Sequence, residues 1–439
     1  QDGGITWDTQ DLQLPTLDTA HFLRFGGDSY AIDAKGETVV MAYFNDWGDS
    51  FILKSTDNGD TWTRTTFIDF PVDRYAADDG LDLEGNGTFD MVYSTDNYGT
   101  VILDANDVAH VFTGNMRYLD DDLSDGGSSW FPLTNGLLYW NENMGQDTTA
   151  PYPHPNDTDL WYSDMPQVIA QARDLNCDGI VAGYDSIGGY ALYYASLASM
   201  PSAGIDDNGD IYVTFSAYTE NVDNGTQVFR HINIIRSTDG GITWSEPIDI
   251  TPHDMWAGQQ ECVFGSMIQE INGNQIELVY QKDFEPGLAV RGDEDLIDLN
   301  EIIYLELDIA SITFCEKIGC TDPLATNYDP FADCNYADYG EDCCEYAPSS
   351  IEELNIQLAS LQPNPASNIS SLQFSTEKTE SIHIEILDIL GKSIFQKQTI
   401  LSKGNHTEDI DLIDYENGVY FINIQIGQRF ISKKLVVSK

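Results

Sequence analysis

The first chemistry the sequence offers is a run of oxygen-bearing side chains at alternate positions. In Asp174-Leu-Asn176-Cys-Asp178-Gly179-Ile180, with Asp185 at the twelfth position, side-chain oxygens at positions 1, 3 and 5, the Ile180 carbonyl and a closing carboxylate can wrap one Ca²⁺. The closing residue is Asp, shorter than the Glu that usually binds bidentately. A weaker copy is Asp82, Glu84 and Asn86, with the Thr88 carbonyl and Asp90, because Tyr93 stands where the closing carboxylate belongs. Both also read as acidic turns solvated by water, and Asp120 to Asp122 with Asp125 read as a solvated loop. Trp130, Trp140, Trp161 and Trp256 lie in loop-rich segments, where an exposed indole would stack on a sugar and a buried one would fill a core. No Ser-His-Asp order, phosphate-binding loop, zinc-ligand spacing or activated cysteine stands out, so no catalytic residue is assigned.

The elements that must position these groups are strands. Ser55-Thr-Asp57-Asn-Gly59-Asp-Thr-Trp62 recurs as Ser237-Thr-Asp239-Gly-Gly241-Ile-Thr-Trp244, and in part at Asp2 to Trp7. In such a turn the Asp accepts main-chain N–H groups, Gly supplies positive φ, and Thr and Trp open the next strand. Acidic or Gly/Asn turns also precede alternating apolar runs at Asp33, Asp82, Asp104, Asp174, Asp206 and Asn272, which is the pattern of antiparallel hairpins. The S-x-D-x-G-x-T-W copies resemble the Asp-box, or BNR, motif of sialidase-like β-propellers. That resemblance implies a propeller, with six blades preferred, in which Ser55, Asp57, Gly59, Trp62, Ser237, Asp239, Gly241 and Trp244 are structural. It also implies a substrate-binding arginine triad with Tyr, Glu and Asp partners in any sialidase, but the family's Phe-Arg-Ile-Pro element is replaced by Phe22-Leu-Arg24-Phe25. The Asp174 loop resembles the calcium loop of dockerins.

Charge narrows the partners. Lys plus Arg number 20 against 73 Asp plus Glu, a net −53 that repels nucleic acid and anionic membranes. Residues from 350 onward carry 8 basic and 11 acidic groups, so about −50 sits on the remainder. Such acid keeps an extracellular protein soluble and also suits Ca²⁺. No stretch approaches the ~20 apolar residues of a membrane span. Gln1 opens without a basic or apolar leader, which predicts that any signal peptide has been removed.

Five of the seven cysteines, Cys315, Cys320, Cys334, Cys343 and Cys344, crowd one acidic segment and predict disulfides formed in an oxidising compartment, with one thiol left over. Cys177 and Cys262 either pair or stay as buried thiols. Gly319-Cys-Thr-Asp-Pro-Leu-Ala-Thr-Asn-Tyr-Asp-Pro330 resembles spacer modules of Bacteroidetes surface proteins. Further on, Leu361-Gln-Pro363-Asn364-Pro365, the alternating Ile382, Ile384 and Ile386, Gly391, the Asn417-Gly418 turn into Val419-Tyr420, and Lys434-Leu-Val436 resemble the C-terminal sorting domain of the type IX secretion system. The alternation and the Asn-Gly turn independently indicate a β-sandwich.

The expectation is an all-β chain: an Asp-box β-propeller over 1–312, a disulfide-rich module over 313–346, a linker over 347–357 and an immunoglobulin-like sandwich over 358–439. The resemblances imply export through the periplasm to the outer-membrane surface or beyond, with the translocon, shuttle and sortase of type IX secretion as partners. Anionic lipopolysaccharide and glycan are further candidate partners, and Ca²⁺ is the candidate cofactor. The propeller is expected to act as a non-catalytic binding or structural unit; the alternatives are a sialidase-like glycoside hydrolase, or cargo held by the secretion machinery.

Overall fold

The computed structural model describes residues 5, 13–22, 29–83, 85–146, 167–175, 177, 181, 193–251, 260–289, 297, 299–339, 343–346, 359–376, 378–389, 392–426 and 429–439. The chain divides into two compact units, Gln1–Tyr346 and Ala347–Lys439. Among the described residues the regular structure is strands, joined by turns and short 3₁₀ segments.

Among the described residues, four larger sheets and a two-stranded one build the first unit. β1 (Tyr30–Lys35), β2 (Thr38–Tyr43), β3 (Ser50–Ser55) and β4 (Thr63–Ile68) form an antiparallel meander. The second sheet runs β5 (Val92–Leu103), β6 (Ala109–Leu119), β8 (Leu137–Asn141), β9 (Val168–Ala170), with β7 (Ser129–Phe131) also on β6. The third is β10 (Ala198–Asp206), β11 (Ile211–Asp223), β12 (Val228–Ser237) and β13 (Ile248–Asp249). The fourth is β14 (Glu261–Met267), β16 (Gln275–Asp283) and β17 (Glu301–Asp308), while β15 (Glu270–Ile271) crosses to pair with β10. The first strands of successive sheets are neighbours: β1 lies beside β5, β5 beside β10 and β10 beside β14.

Burial of apolar faces drives this arrangement, because successive sheets cover one another's. Val40, Ala42 and Ile52 meet Val101, Val111, Leu138 and Trp140 between the first two sheets. Ile102, Phe112 and Tyr139 meet Val213, Phe215 and Ile235 between the second and third. Tyr212 and Ile234 meet Met267, Ile276 and Leu278 between the third and fourth. Trp140 is 5 % exposed within the first of these cores, which removes it from the sugar-stacking candidates. It lies on the face of β8 that the first sheet covers, and its indole N–H donates to the Gly145 carbonyl at 2.8 Å.

The cysteine-rich segment, with β18 (Ile318–Gly319) parallel to β19 (Cys334–Asn335), belongs to this unit and is tied to the rest of it covalently. Cys315 pairs with Cys334 and Cys320 with Cys344, so the cysteine left over is Cys343, and it pairs with Cys177, 166 residues upstream. The idea that Cys177 pairs with Cys262 is thereby corrected. Cys262 is a buried free thiol on β14, and burial pushes its pKa up to about 12.

The second unit is a seven-strand sandwich. One sheet is β20 (Ala359–Gln362), β21 (Ile369–Thr376), β24 (Gly404–Asp411); the other is β23 (Ser393–Leu401), β22 (Glu380–Leu387), β25 (Gly418–Ile426), β26 (Arg429–Val437). Leu372, Phe374, Ile410 and Leu412 from the first face Ile382, Ile384, Ile386, Ile422 and Ile424 from the second. A one-residue slip of β22 would carry its three isoleucines to water, so the register is strongly fixed.

Candidate functional site

The first strands of the second, third and fourth sheets are each interrupted near their N-terminal ends. Register shifts fall between Thr95 and Gly99 on β5, Ser199 and Ser202 on β10, and Val263 and Ser266 on β14. Each break contains a non-glycine residue with positive φ: Asn97 (69°), Met200 (56°) and Phe264 (56°). Asn tolerates this region, whereas Met and Phe are strained there by about 1–3 kcal/mol each, a cost that persists only where the surroundings dictate it. Here Tyr98, Met200 and Phe264 gather around Tyr193, Ala195 and Val263. Tyr98 donates its hydroxyl to the Tyr193 carbonyl at 3.1 Å.

Charged side chains are buried at the same place. Asp96, in the β5 break, accepts N–H groups from Ser196 at 2.9 Å and Tyr98 at 3.2 Å. Gly114 makes room for it, since a Cβ there would sit 2.1 Å from the carboxylate. The Arg230 guanidinium donates to the carbonyls of Ser196 at 2.6 Å and of Leu197 and Ser216 at 3.4 Å, and lies 4.2 Å over the Tyr218 ring. Glu261 accepts the Arg230 main-chain N–H at 2.5 Å. Arg117 donates Nε to the Tyr93 hydroxyl at 3.0 Å. All four charged groups are at most 1 % exposed. Burial raises the pKa of Asp96 against the pull of its N–H donors. It raises Glu261 to about 7, opposed by the Arg230 N–H and charge, and it lifts the Tyr193 phenol far above its ordinary value.

Glu261 gives a test with a defined sign. Its folded pKa lies above the unfolded one, so the native state holds a proton that the unfolded chain releases. Stability from this group is therefore lost as pH rises from about 4.5 to about 7, by on the order of 3 kcal/mol. Gln keeps the acceptor for the Arg230 N–H without the charge. We expect E261Q to melt with the wild type near pH 4 and above it near pH 8; parallel melting curves across that range would refute the assignment.

The two S-x-D-x-G-x-T-W turns share four hydrogen bonds and differ at the Trp, whose indole N–H donates to the Gly59 carbonyl at 3.0 Å in the first and is buried without a partner in the second. Asp57 accepts from Thr61 N at 2.8 Å, Thr61 Oγ1 at 2.6 Å and Ser55 Oγ at 2.7 Å. Asp239 accepts from Thr243 N at 2.9 Å, Thr243 Oγ1 at 2.6 Å and Ser237 Oγ at 2.9 Å. Gly59 and Gly241 each donate N–H to the turn Ser at 2.8 Å. The Thr61 bonds hold Asp57 down to about 2; in Asp239 burial opposes the equivalent Thr243 bonds, which prevail. Trp62 packs against Phe51 and Leu53, and Trp244 edge-on against Phe112 and Tyr139.

The calcium candidates fare differently. Asn176, Asp178, Ile180 and Asp185 lie outside the described residues, leaving only Asp174 of that set within them. In the weaker copy Glu84 lies outside them; Asp82 accepts N–H from Asn86 at 2.9 Å and Gly87 at 2.8 Å, and Asp90 from Leu83 at 2.7 Å, so these oxygens brace a turn. Thr88 N donates to the Asn86 side chain at 2.7 Å. Among the described residues one trio of ligand types converges, Cys315, Asp333 and Cys334, but its two sulfurs share a disulfide and offer no thiolate. Trp130 is half-buried and stacks on Tyr194, with ring centres 4.6 Å apart; Trp161 and Trp256 lie outside the described residues.

Sequence reading missed Asp96 and Glu261, and counted Arg117 and Arg230 only among eight arginines that could supply a triad, without placing them. The available signal was a charge set among large apolar residues of a strand, as in Val228-Phe-Arg230-His-Ile-Asn-Ile-Ile235.

In the second unit the structure joins motifs that are distant in sequence. Asn364, between Pro363 and Pro365, donates Nδ2 to the Lys434 carbonyl at 2.6 Å and accepts Val436 N at 2.8 Å. Asn417 accepts Lys439 N at 2.7 Å, Gly418 opens β25, and Tyr420 donates to the Glu416 carbonyl at 3.0 Å. Gly391 lies outside the described residues.

Comparison with known proteins agrees on this unit. Residues 360–438 match the family described as secretion system C-terminal sorting domain. No curated protein matches the chain. Solved structures align at low similarity. They include the polysaccharide lyase Uly1 (11 % identity over 94 % of this chain and 81 % of that one, TM-score 0.32). The Trypanosoma rangeli sialidase bound to the inhibitor DANA aligns at 10 % identity over 93 % and 53 %, TM-score 0.30. The Bacillus licheniformis GH43 endo-arabinanase aligns at 9 % over 85 % and 94 %, TM-score 0.23. No helix among the described residues is long and apolar enough to cross a membrane. The sandwich geometry and the family match together identify residues 360–438 as a type IX secretion sorting domain, and the chain that carries it is exported to the cell surface or the extracellular space.

Proposed function

We propose that the first unit is a six-bladed β-propeller of the Asp-box type, displayed at the cell surface by type IX secretion as a non-catalytic binding or structural module. The observation that carries this reading is the fate of the charged groups at the breaks in the first strands of the sheets. An acyl- or glycosyl-transferring site presents its carboxylates and guanidinium to the substrate. Here the Arg230 guanidinium is turned to three main-chain carbonyls and a tyrosine face, and Asp96 to two main-chain N–H groups. These contacts support strained breaks in those strands, which is a structural task. Four sheets whose first strands lie side by side, with turns alike at Asp57 and Asp239, support the propeller reading.

A hydrolase is the second reading, favoured by Glu261, whose pKa near 7 and nearness to Tyr193 and Arg230 resemble an acid–base arrangement. Assaying the purified full chain against sialosides and a panel of surface polysaccharides separates the two. We expect retention on surface polysaccharide without release of reducing sugar. Release by the wild type that E261Q loses would overturn the non-catalytic reading.

A further inference from the structure

At the opposite, turn-bearing ends of these strands, segments from the first three sheets and the β15 link between β14 and β16 converge on a cavity of about 710 Å³. Its wall includes Asp33, Asp104, Asp206, Asp207 and Glu270, with Lys35 the one basic residue among them. Acidic turns alone are ordinary solvated surface. The same wall contains His110, 3 % exposed, whose Nε2 is buried without a hydrogen-bond partner.

We propose that His110 Nε2 and Asp104 Oδ2 are protein ligands of a divalent cation of the zinc type, with the remaining positions filled by water from the cavity. The two atoms are 3.8 Å apart, too far for a hydrogen bond. Two ligands each about 2.1 Å from a tetrahedral ion stand roughly 3.4 Å apart, so the two atoms need close by only a few tenths of an ångström to hold one.

The surroundings prepare both atoms. Oδ1 of Asp104 is occupied by Asn106 N at 2.7 Å and Val108 N at 2.8 Å, which turns Oδ2 toward the imidazole. His110 Nδ1 lies 2.7 Å from the Tyr139 hydroxyl, which also receives Asn141 Nδ2 at 2.8 Å and reaches the Gly240 carbonyl at 3.4 Å. With its proton directed to that carbonyl, Tyr139 accepts Nδ1–H and leaves the Nε2 lone pair bare. A ligand histidine fixed through its other nitrogen is the usual support of a metal site. The tyrosine is itself held by the Asp239 turn, since a Cβ on Gly241 would lie 2.0 Å from its hydroxyl. An imidazole beside a carboxylate selects zinc-like ions over Ca²⁺ and Mg²⁺, which prefer oxygen throughout.

The test is calorimetric titration of the chelator-treated full chain with Zn²⁺ in physiological salt and excess Ca²⁺, which saturates the general acidic surface. The expected result is one Zn²⁺ site in the wild type, weakened about tenfold or more in both H110Q and D104N. Equal Zn²⁺ binding by wild type and variants, or none under Ca²⁺ competition, overturns the proposal. Should either variant fail to fold, Cu²⁺ bound to the wild type must show a single imidazole nitrogen by paramagnetic resonance; a signal from oxygen ligands alone refutes the site.

Discussion

Cells expressing the chain without residues 360–438 are expected to show none of it at their surface, the truncated product collecting in the periplasm. The sandwich has a core of its own, from Leu372 and Phe374 to Ile424 and Val437, and it carries a net charge near −3 beside about −50 on the rest, so it is a separable address. Protease shaving of intact cells, with fractionation, reads the outcome directly; surface display of the truncated chain would refute the assignment. A finer version targets Asn364, which holds β26 by two hydrogen bonds worth about 1 kcal/mol each. N364A should reduce display while the first unit melts unchanged.

The second large effect concerns the crosslink between Cys177 and Cys343. It closes a loop of 166 residues, for which the chain-entropy argument gives about 5 kcal/mol. The double variant C177S/C343S, which leaves only the buried Cys262 thiol that the wild type also has, should melt on the order of 10 °C below the oxidised wild type. Cys315–Cys334 and Cys320–Cys344 close only short local loops and survive in both proteins, so the difference belongs to the long bridge. Coincident melting curves would show that the bridge adds nothing to the unit.

Local patterns were legible wherever a residue's role is decided by its near neighbours. The Ser-x-Asp-x-Gly-x-Thr-Trp turns close upon themselves within eight residues, and the isoleucine alternation at 382, 384 and 386 names its own buried face. Roles set by distant chain were not legible. Trp140 sits in what reads as a loop-rich stretch, yet β2 and β3 cover it. Arg230 is tolerable in a core because the Ser196 and Leu197 carbonyls, more than thirty residues away, converge on it. The cysteine count announced one thiol too many near 343 but carried no information on where its partner lay. Asp104 and His110 looked like one more acidic hairpin, since only the packing of Tyr139 reveals the unused ring nitrogen.

The long bridge also orders events during export. It cannot form until both cysteines have left the reducing cytoplasm. Residue 343 emerges from the ribosome long after residue 177, so the passenger closes covalently only once nearly all of it has crossed the inner membrane. From then on it cannot be drawn out into a single thread. A folded body of 346 residues has a radius of gyration of about 20 Å, so the outer-membrane conduit must be several tens of ångströms wide or handle its load before oxidation.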